Sequence, residues 1–257
     1  MTISPLDTID VVRRSQDRFA GLLQTLTPEQ VTGPSYDDEW SIADVASHLG
    51  SQAEIFGLFV DAGLEGTEPP NHDAFVQIWD RWNAKPPTEQ VADSIAANEA
   101  LVSRIEGLPE GDRDAFRVQM FDARRDLSSL VSMRLSEHAV HTWDIAVALD
   151  PAATISPEAV DVLVESVPSL AGRAARTVAG ATPVVVATTE PTRAYRVTFE
   201  PDVTVQPADG VAAADLTLPA EAFVRLVYGR LDPAHTPGSA TGDHTRLADL
   251  RKAFPGF

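Results

Sequence analysis

The 257-residue chain contains no cysteine. Disulfides and a protein-borne thiol nucleophile are thereby excluded, so any thiol chemistry must use a thiol brought in from outside. Basic residues are scarce: 20 Lys and Arg stand against 38 Asp and Glu, a net charge of -18. Nucleic acid is a poor partner for such a chain, because phosphate binding needs a basic footprint. Anionic membrane surfaces are disfavoured for the same reason. No apolar run approaches the length of a membrane span. The first five residues, Met-Thr-Ile-Ser-Pro, lack the basic-then-apolar order of a signal peptide. A cytoplasmic protein is expected. Histidine is sparse too, with His48, His72, His138, His141, His235 and His244 as the full set, so few places in the chain can carry imidazole chemistry.

What the chain does contain is ordinary globular material: 44% hydrophobic and 23% charged residues, enough for a sizeable core. Ile9, Val12, Gln16, Phe19, Leu23 and Leu26 recur at spacings of three and four, one stripe of a long amphipathic helix. Ser4 is its expected N-cap, and Thr27-Pro28 with Gly33-Pro34 are read as its end. Ser41 followed by Asp44 is a capping box opening a second helix, which runs to about Gly63. A short helical piece spans 75–82, a third long helix 88–105, and a fourth 126–149. The polar stretch 107–122 reads as loop. Four such helices predict an antiparallel bundle over residues 1–150.

The second half changes character. A helix is expected over 157–178. β-rich runs at 183–189 and 194–200 form a hairpin candidate, 202–206 a short strand, and Asp215 to Leu218 alternates as an edge strand would. Helices follow at 219–228 and 244–253. The expected fold class is therefore α+β: a four-helix bundle followed by a smaller α+β domain at 151–257. No internal repeat or low-complexity segment is evident.

On the fourth helix Arg134, Glu137, His141 and Asp144 form one polar stripe between the apolar flanks Leu130, Val131, Leu135, Ala139, Val140, Ile145 and Ala146. Polar groups on such a helix must be satisfied internally, since burying them unpaired costs several kcal/mol, about 2–7. Glu137 and His141, four apart, share a face and can converge on one ion. The second helix carries a matching stripe of Asp44, His48 and Gln52, and His48 would supply a third ligand. Two His and one carboxylate with an open position is a catalytic zinc pattern, although iron and nickel accept the same donors. A Glu and a His at this spacing also arise by chance in an acidic chain. The order differs from the protease motif H-E-x-x-H, and His138 points about 100° from Glu137, as a packing or surface residue would.

Segment 40–49, Trp-Ser-Ile-Ala-Asp-Val-Ala-Ser-His-Leu, resembles the W-[ST]-x-x-[DE]-x-x-x-H-[LI] segment of the mycothiol-dependent maleylpyruvate isomerase family, which belongs to the DinB-like metal-binding bundles. Segment 134–145, Arg-Leu-Ser-Glu-His-Ala-Val-His-Thr-Trp-Asp-Ile, resembles its R-x-x-E-x-x-x-H-x-x-D segment. Weaker likenesses lie at 214–218 (Ala-Asp-Leu-Thr-Leu), 228–231 (Tyr-Gly-Arg-Leu) and 241–243 (Thr-Gly-Asp). The resemblance implies a DinB-like bundle with an α+β domain, and a metal held by His48, Glu137 and His141. It also implies mycothiol, the low-molecular-weight thiol of actinobacteria, as cosubstrate.

A zinc ion with an open position would favour the thiolate of such a thiol, which then attacks a small-molecule electrophile. Asp44 and Asp144 are candidates for orienting His48 and His141, with capping as the alternative for Asp44. Arg134 would hold a substrate carboxylate or pair structurally. Arg230 would reach thiol or substrate, or serve as a helix C-terminal cation. Trp40 and Trp143 are expected to be packing residues. Isomerisation, S-conjugation by a mycothiol S-transferase, and non-catalytic metal or thiol binding all stay open, as does a purely structural bundle. The substrate and the oligomeric state are not readable.

Overall fold

The computed structural model describes residues 5–37, 39–120, 123–209 and 214–256. It divides into two compact units, Met1–Thr154 and Ile155–Phe257.

The first unit is built on four long helices: α1 (Pro5–Leu23), α3 (Ile42–Glu65), α5 (Pro87–Glu106) and α7 (Leu127–Leu149). Each packs on two of the others, in the ring α1, α5, α3, α7. Phe19, Leu23, Val45, Ala46, Leu49, Val91 and Ile145 meet in one buried cluster, and each large side chain so buried contributes about 1.5–3 kcal/mol. The α3 start is fixed by the capping box: Asp44 N–H donates to Ser41 Oγ (3.2 Å) and Ser41 N–H donates to Asp44 Oδ2 (2.9 Å). Asp126 caps α7, accepting from Ser129 N–H at 2.8 Å. The α3 end is set by Gly66 at φ 67°, a left-handed cap that favours glycine. α4 (His72–Asn83) lies against α3. At their crossing Gly50 leaves room for Trp82: a Cβ there would sit 2.2 Å from the indole.

Two expectations for this half need correction. Thr27 and Pro28 do not only end α1: Thr27 heads a capping box for the one-turn α2 (Pro28–Val31). Stretch 107–122 is not simply loop. It holds α6 (Glu110–Ala115) and β1 (Val118–Met120), which pairs with β2 (Ala123–Arg125) in a short antiparallel ribbon. Phe116, Val118 and Met120 are all buried, so a period-2 pattern was present but short. The expected N-cap Ser4, together with residues 121 and 122, lies outside the described residues.

The second unit opens with α8 (Pro157–Ala174) and a sheet of β3 (Val184–Thr189), β4 (Arg193–Thr198), β5 (Thr204–Pro207), β6 (Leu216–Pro219) and β7 (Thr241–Gly242), in the order β5-β4-β3-β6-β7. α9 (Ala220–Val227) and α10 (His244–Ala253) complete it. The hairpin β3–β4 forms as expected, but α8 stops four residues short of the expected end. β6 is not an edge strand: it pairs parallel to β3 and antiparallel to the two-residue β7. Gly242, at φ 107°, permits that pairing, since a Cβ there would stand 2.3 Å from the Asp215 carbonyl. Asp215 in turn accepts from Val185 N–H at 2.8 Å. Segments 214–218 and 241–243 thus meet across the sheet and have an architectural role.

Candidate metal centre

α3 and α7 face each other, and their polar stripes meet there. One ligand atom each from His48, Glu137 and His141 lies within 4.8 Å of the other two. Glu137 Oε2 is 3.4 Å from His48 Nε2 and 3.7 Å from His141 Nε2. Donors on a tetrahedral ion at 2.0–2.1 Å are separated by about 3.4 Å, and both distances from Glu137 come within a few tenths of an ångström of that spacing. His141 Nδ1 lies 2.9 Å from Asp144 Oδ2. That contact occupies the inner ring nitrogen and leaves Nε2 free to face the other donors. Asp144 is 1% exposed, so the orienting carboxylate is itself held rigidly.

Gln52, one turn after His48, places its amide Nε2 3.0 Å from Glu137 Oε2 and 3.2 Å from His48 Nε2. Trp40 flanks both rings, 5.2 Å from the His48 ring and stacked at 6.2 Å on His141. Gln52 is the third member of the α3 polar stripe, and Trp40, expected as a packing residue, packs on the two imidazoles.

Electrostatics favour the deprotonated forms of His48 and Glu137. Burial pushes the His48 imidazole below its usual range, although its hydrogen bond to Glu137 opposes this. Burial opposes ionisation of Glu137. The His48 hydrogen bond and the nearby His141, His48 and Arg134 nevertheless hold its carboxyl down at about 2. A neutral imidazole beside a carboxylate, as His48 and Glu137 provide, is the pair of protonation states a metal needs.

Asp44 caps α3 through Ser41. Arg134 is 1% exposed, and its Nη2 donates to the Leu49 carbonyl (3.1 Å) and to Asn98 Oδ1. Those bonds lead to α3 and α5 rather than to any of the three donors. His138 is buried, its Nδ1 2.9 Å from Ser15 Oγ and its ring edge-on to Phe19, a packing residue. Trp143 is buried and donates from Nε1 to the Ala153 carbonyl at 2.9 Å. Arg230 belongs to the second unit, in the turn after α9, where its Nη1 donates to the Tyr228 carbonyl at 2.8 Å. Asn98, which orders Arg134, was not anticipated. A single Asn on an amphipathic helix carries no spacing signal.

Known proteins agree with this architecture. Two relatives, uncharacterised proteins from two strains of Mycobacterium tuberculosis, are 26% identical over 153 residues, covering 60% of this chain and 73% of theirs. A crystal structure of the mycothiol-dependent maleylpyruvate isomerase matches with a TM-score of 0.65 at 15% identity, covering 90% of this chain and 92% of that one. A histidine-to-alanine mutant of the same enzyme matches with the same score and coverage at 14% identity. At such identities the likeness is one of fold. The family model for the mycothiol maleylpyruvate isomerase N-terminal domain matches residues 12–146, more than half of the chain and the whole stretch from His48 to His141. The chain belongs to the mycothiol maleylpyruvate isomerase family, a family of enzymes.

Proposed function

We propose that the bundle, residues 1–150, holds one divalent metal, zinc by preference, through His48, Glu137 and His141, and that the protein uses it with mycothiol as cosubstrate. The observation that carries this reading is the convergence of two imidazole nitrogens and one carboxylate within 4.8 Å, with Asp144 fixing His141. A bound divalent ion supplies Lewis-acid charge that favours the thiolate over the thiol.

The chain's own residues have defined parts. His48 and His141 present ring nitrogens, Glu137 supplies one negative charge, and Gln52 donates to the Glu137 oxygen. Trp40 shields the two rings on one side. Three protein donors leave a coordination position for an exogenous ligand, the arrangement of catalytic rather than structural zinc. The reaction we assign is cis–trans isomerisation of a maleylpyruvate-like electrophile. The thiolate adds to the double bond, the resulting single bond rotates, and elimination restores the double bond and releases the thiolate. Arg230, in the C-terminal α+β domain at 151–257, is our candidate cation for an anionic group of thiol or substrate. A cytoplasmic setting suits this cosubstrate, and no helix among the described residues is long and apolar enough to cross a membrane.

S-transfer to an electrophile uses the same thiolate and is the second reading. The test is a reaction of purified, zinc-loaded protein with mycothiol and maleylpyruvate. Product formed with thiol at catalytic amounts supports the isomerase. Stoichiometric consumption of thiol into an adduct supports the transferase. Stoichiometric metal with no turnover of either kind leaves a non-catalytic binding protein and rejects both.

A further inference from the structure

Arg134 presents a physical problem. A guanidinium at 1% exposure costs several kcal/mol to desolvate, and replacing buried charge by apolar packing is often neutral or stabilising. Among the described residues no carboxylate lies within ion-pair distance of it, and its Nη1 has no hydrogen-bond partner. What it does have is a tightly specified pair of acceptors. Its Nη2 donates to the Leu49 carbonyl on α3 at 3.1 Å and to Asn98 Oδ1 on α5. Asn98 is used completely: its Nδ2 donates to the same Leu49 carbonyl at 3.3 Å and to the Ser94 carbonyl at 2.8 Å.

The location of this cluster matters. Leu49 is the residue after His48, and Arg134 precedes Glu137 by three residues, a single turn on the face that carries His141 one turn further on. The bond from Arg134 to Leu49 therefore joins the two donor-bearing helices at the level of the donors, and Asn98 braces both from a third helix. Glu137 and His141 keep their spacing by sharing α7. The distance from that pair to His48 is a distance between helices, and apolar packing tolerates small slides that a ligand set does not.

We propose that Arg134 and Asn98 form a clamp on the Leu49 carbonyl that sets the spacing between His48 and the Glu137–His141 pair, making both of them positioning residues for the metal centre. The inference rests on the metal reading of those three donors. It assigns Arg134 a part in holding the site and none in touching substrate.

The test uses the full chain with Arg134→Met and Asn98→Ala, and Phe116→Leu as a control. Phe116 packs against Gly63, fifteen residues and about 22 Å along α3 from His48, so its loss lowers stability away from the donors. Zinc affinity is measured by competition with a chromophoric chelator, and site geometry by the ligand-field spectrum of the Co(II)-loaded protein. Both clamp variants are expected to keep their helical circular dichroism, to bind zinc about tenfold to a hundredfold more weakly, and to show an altered Co(II) spectrum. Phe116→Leu is expected to melt earlier with unchanged affinity and spectrum. Wild-type affinity and spectrum in the clamp variants overturn the clamp while leaving the metal centre standing. So does an equal loss of affinity in the control. If Arg134→Met does not fold, Asn98→Ala decides alone. A wild-type chain that takes up no stoichiometric zinc overturns the metal reading and the clamp with it.

Discussion

His141 and Asp144 sit one turn apart on α7, with Nδ1 2.9 Å from Oδ2 and the carboxylate 1% exposed. A buried carboxylate behind an imidazole fixes its tautomer and raises its basicity, and removing such partners typically costs about 10–100-fold in metal affinity. Asp144→Ala is expected to weaken zinc binding by that factor without removing any of the three donors. Chelator competition measures it, and an unchanged affinity would reject the orienting role.

Zinc should also stabilise the fold. A ligand at a hundred times its dissociation constant adds about 2.7 kcal/mol, equivalent to about 5–10 °C in a chain of this size. Wild-type protein is expected to melt higher by that amount with zinc than with EDTA. His48→Ala, Glu137→Gln and His141→Ala are expected to lose the difference. Differential scanning fluorimetry with and without chelator reads it directly.

Acid should unfold the metal-free protein early. Burial holds both His138 and His48 below the ordinary imidazole range. The unfolded chain therefore takes up protons at a pH where the folded chain does not, and stability falls as pH drops below about 6.5. Replacing His138 with Gln removes one of these sites, and the melting temperature is expected to decline less steeply between pH 7.5 and 5. An equally steep decline would show that His138 does not resist protonation in the fold.

Gly50 is expected to tolerate no side chain. A Cβ would lie 2.2 Å from the Trp82 ring, which is itself 1% exposed and has nowhere to move. Gly50→Ala is expected to cost about 1–3 kcal/mol, the range of core overpacking, seen as a lower urea midpoint at unchanged m-value. A midpoint equal to the wild type would mean that α3 and α4 can separate freely.

In the α+β half, Tyr195 is buried with its hydroxyl donating to the Val164 carbonyl at 3.0 Å. Burial, helped by nearby Glu165, pushes its phenol up to about 12. The folded state keeps the proton while the unfolded chain releases it near 10, so this residue's contribution to stability is present below pH 10 and is lost as pH rises towards 12. Ultraviolet titration of the three tyrosines is expected to show a late step that Tyr195→Phe abolishes.

The features written into the sequence were those with local causes. Ser41 and Asp44 announce α3 because a capping box spans only four residues, and His48, Glu137 and His141 announce themselves as polar positions on apolar helices. The clamp did not: Asn98 has meaning only beside a carbonyl 49 residues away. The alternation at Asp215 to Leu218 does not distinguish an edge strand from an inner one, because the strand that covers β6 on its outer side, β7, is only two residues long. The β1–β2 ribbon was lost in a polar stretch too short for its period to stand out.

Two of the three donors, Glu137 and His141, ride on one helix, while the third comes from another. On the metal reading their mutual spacing is set before any ion arrives, and uptake and release are expected to follow how often α3 breathes away from α7. Slow amide exchange along the middle of α3 would then go with slow metal exchange.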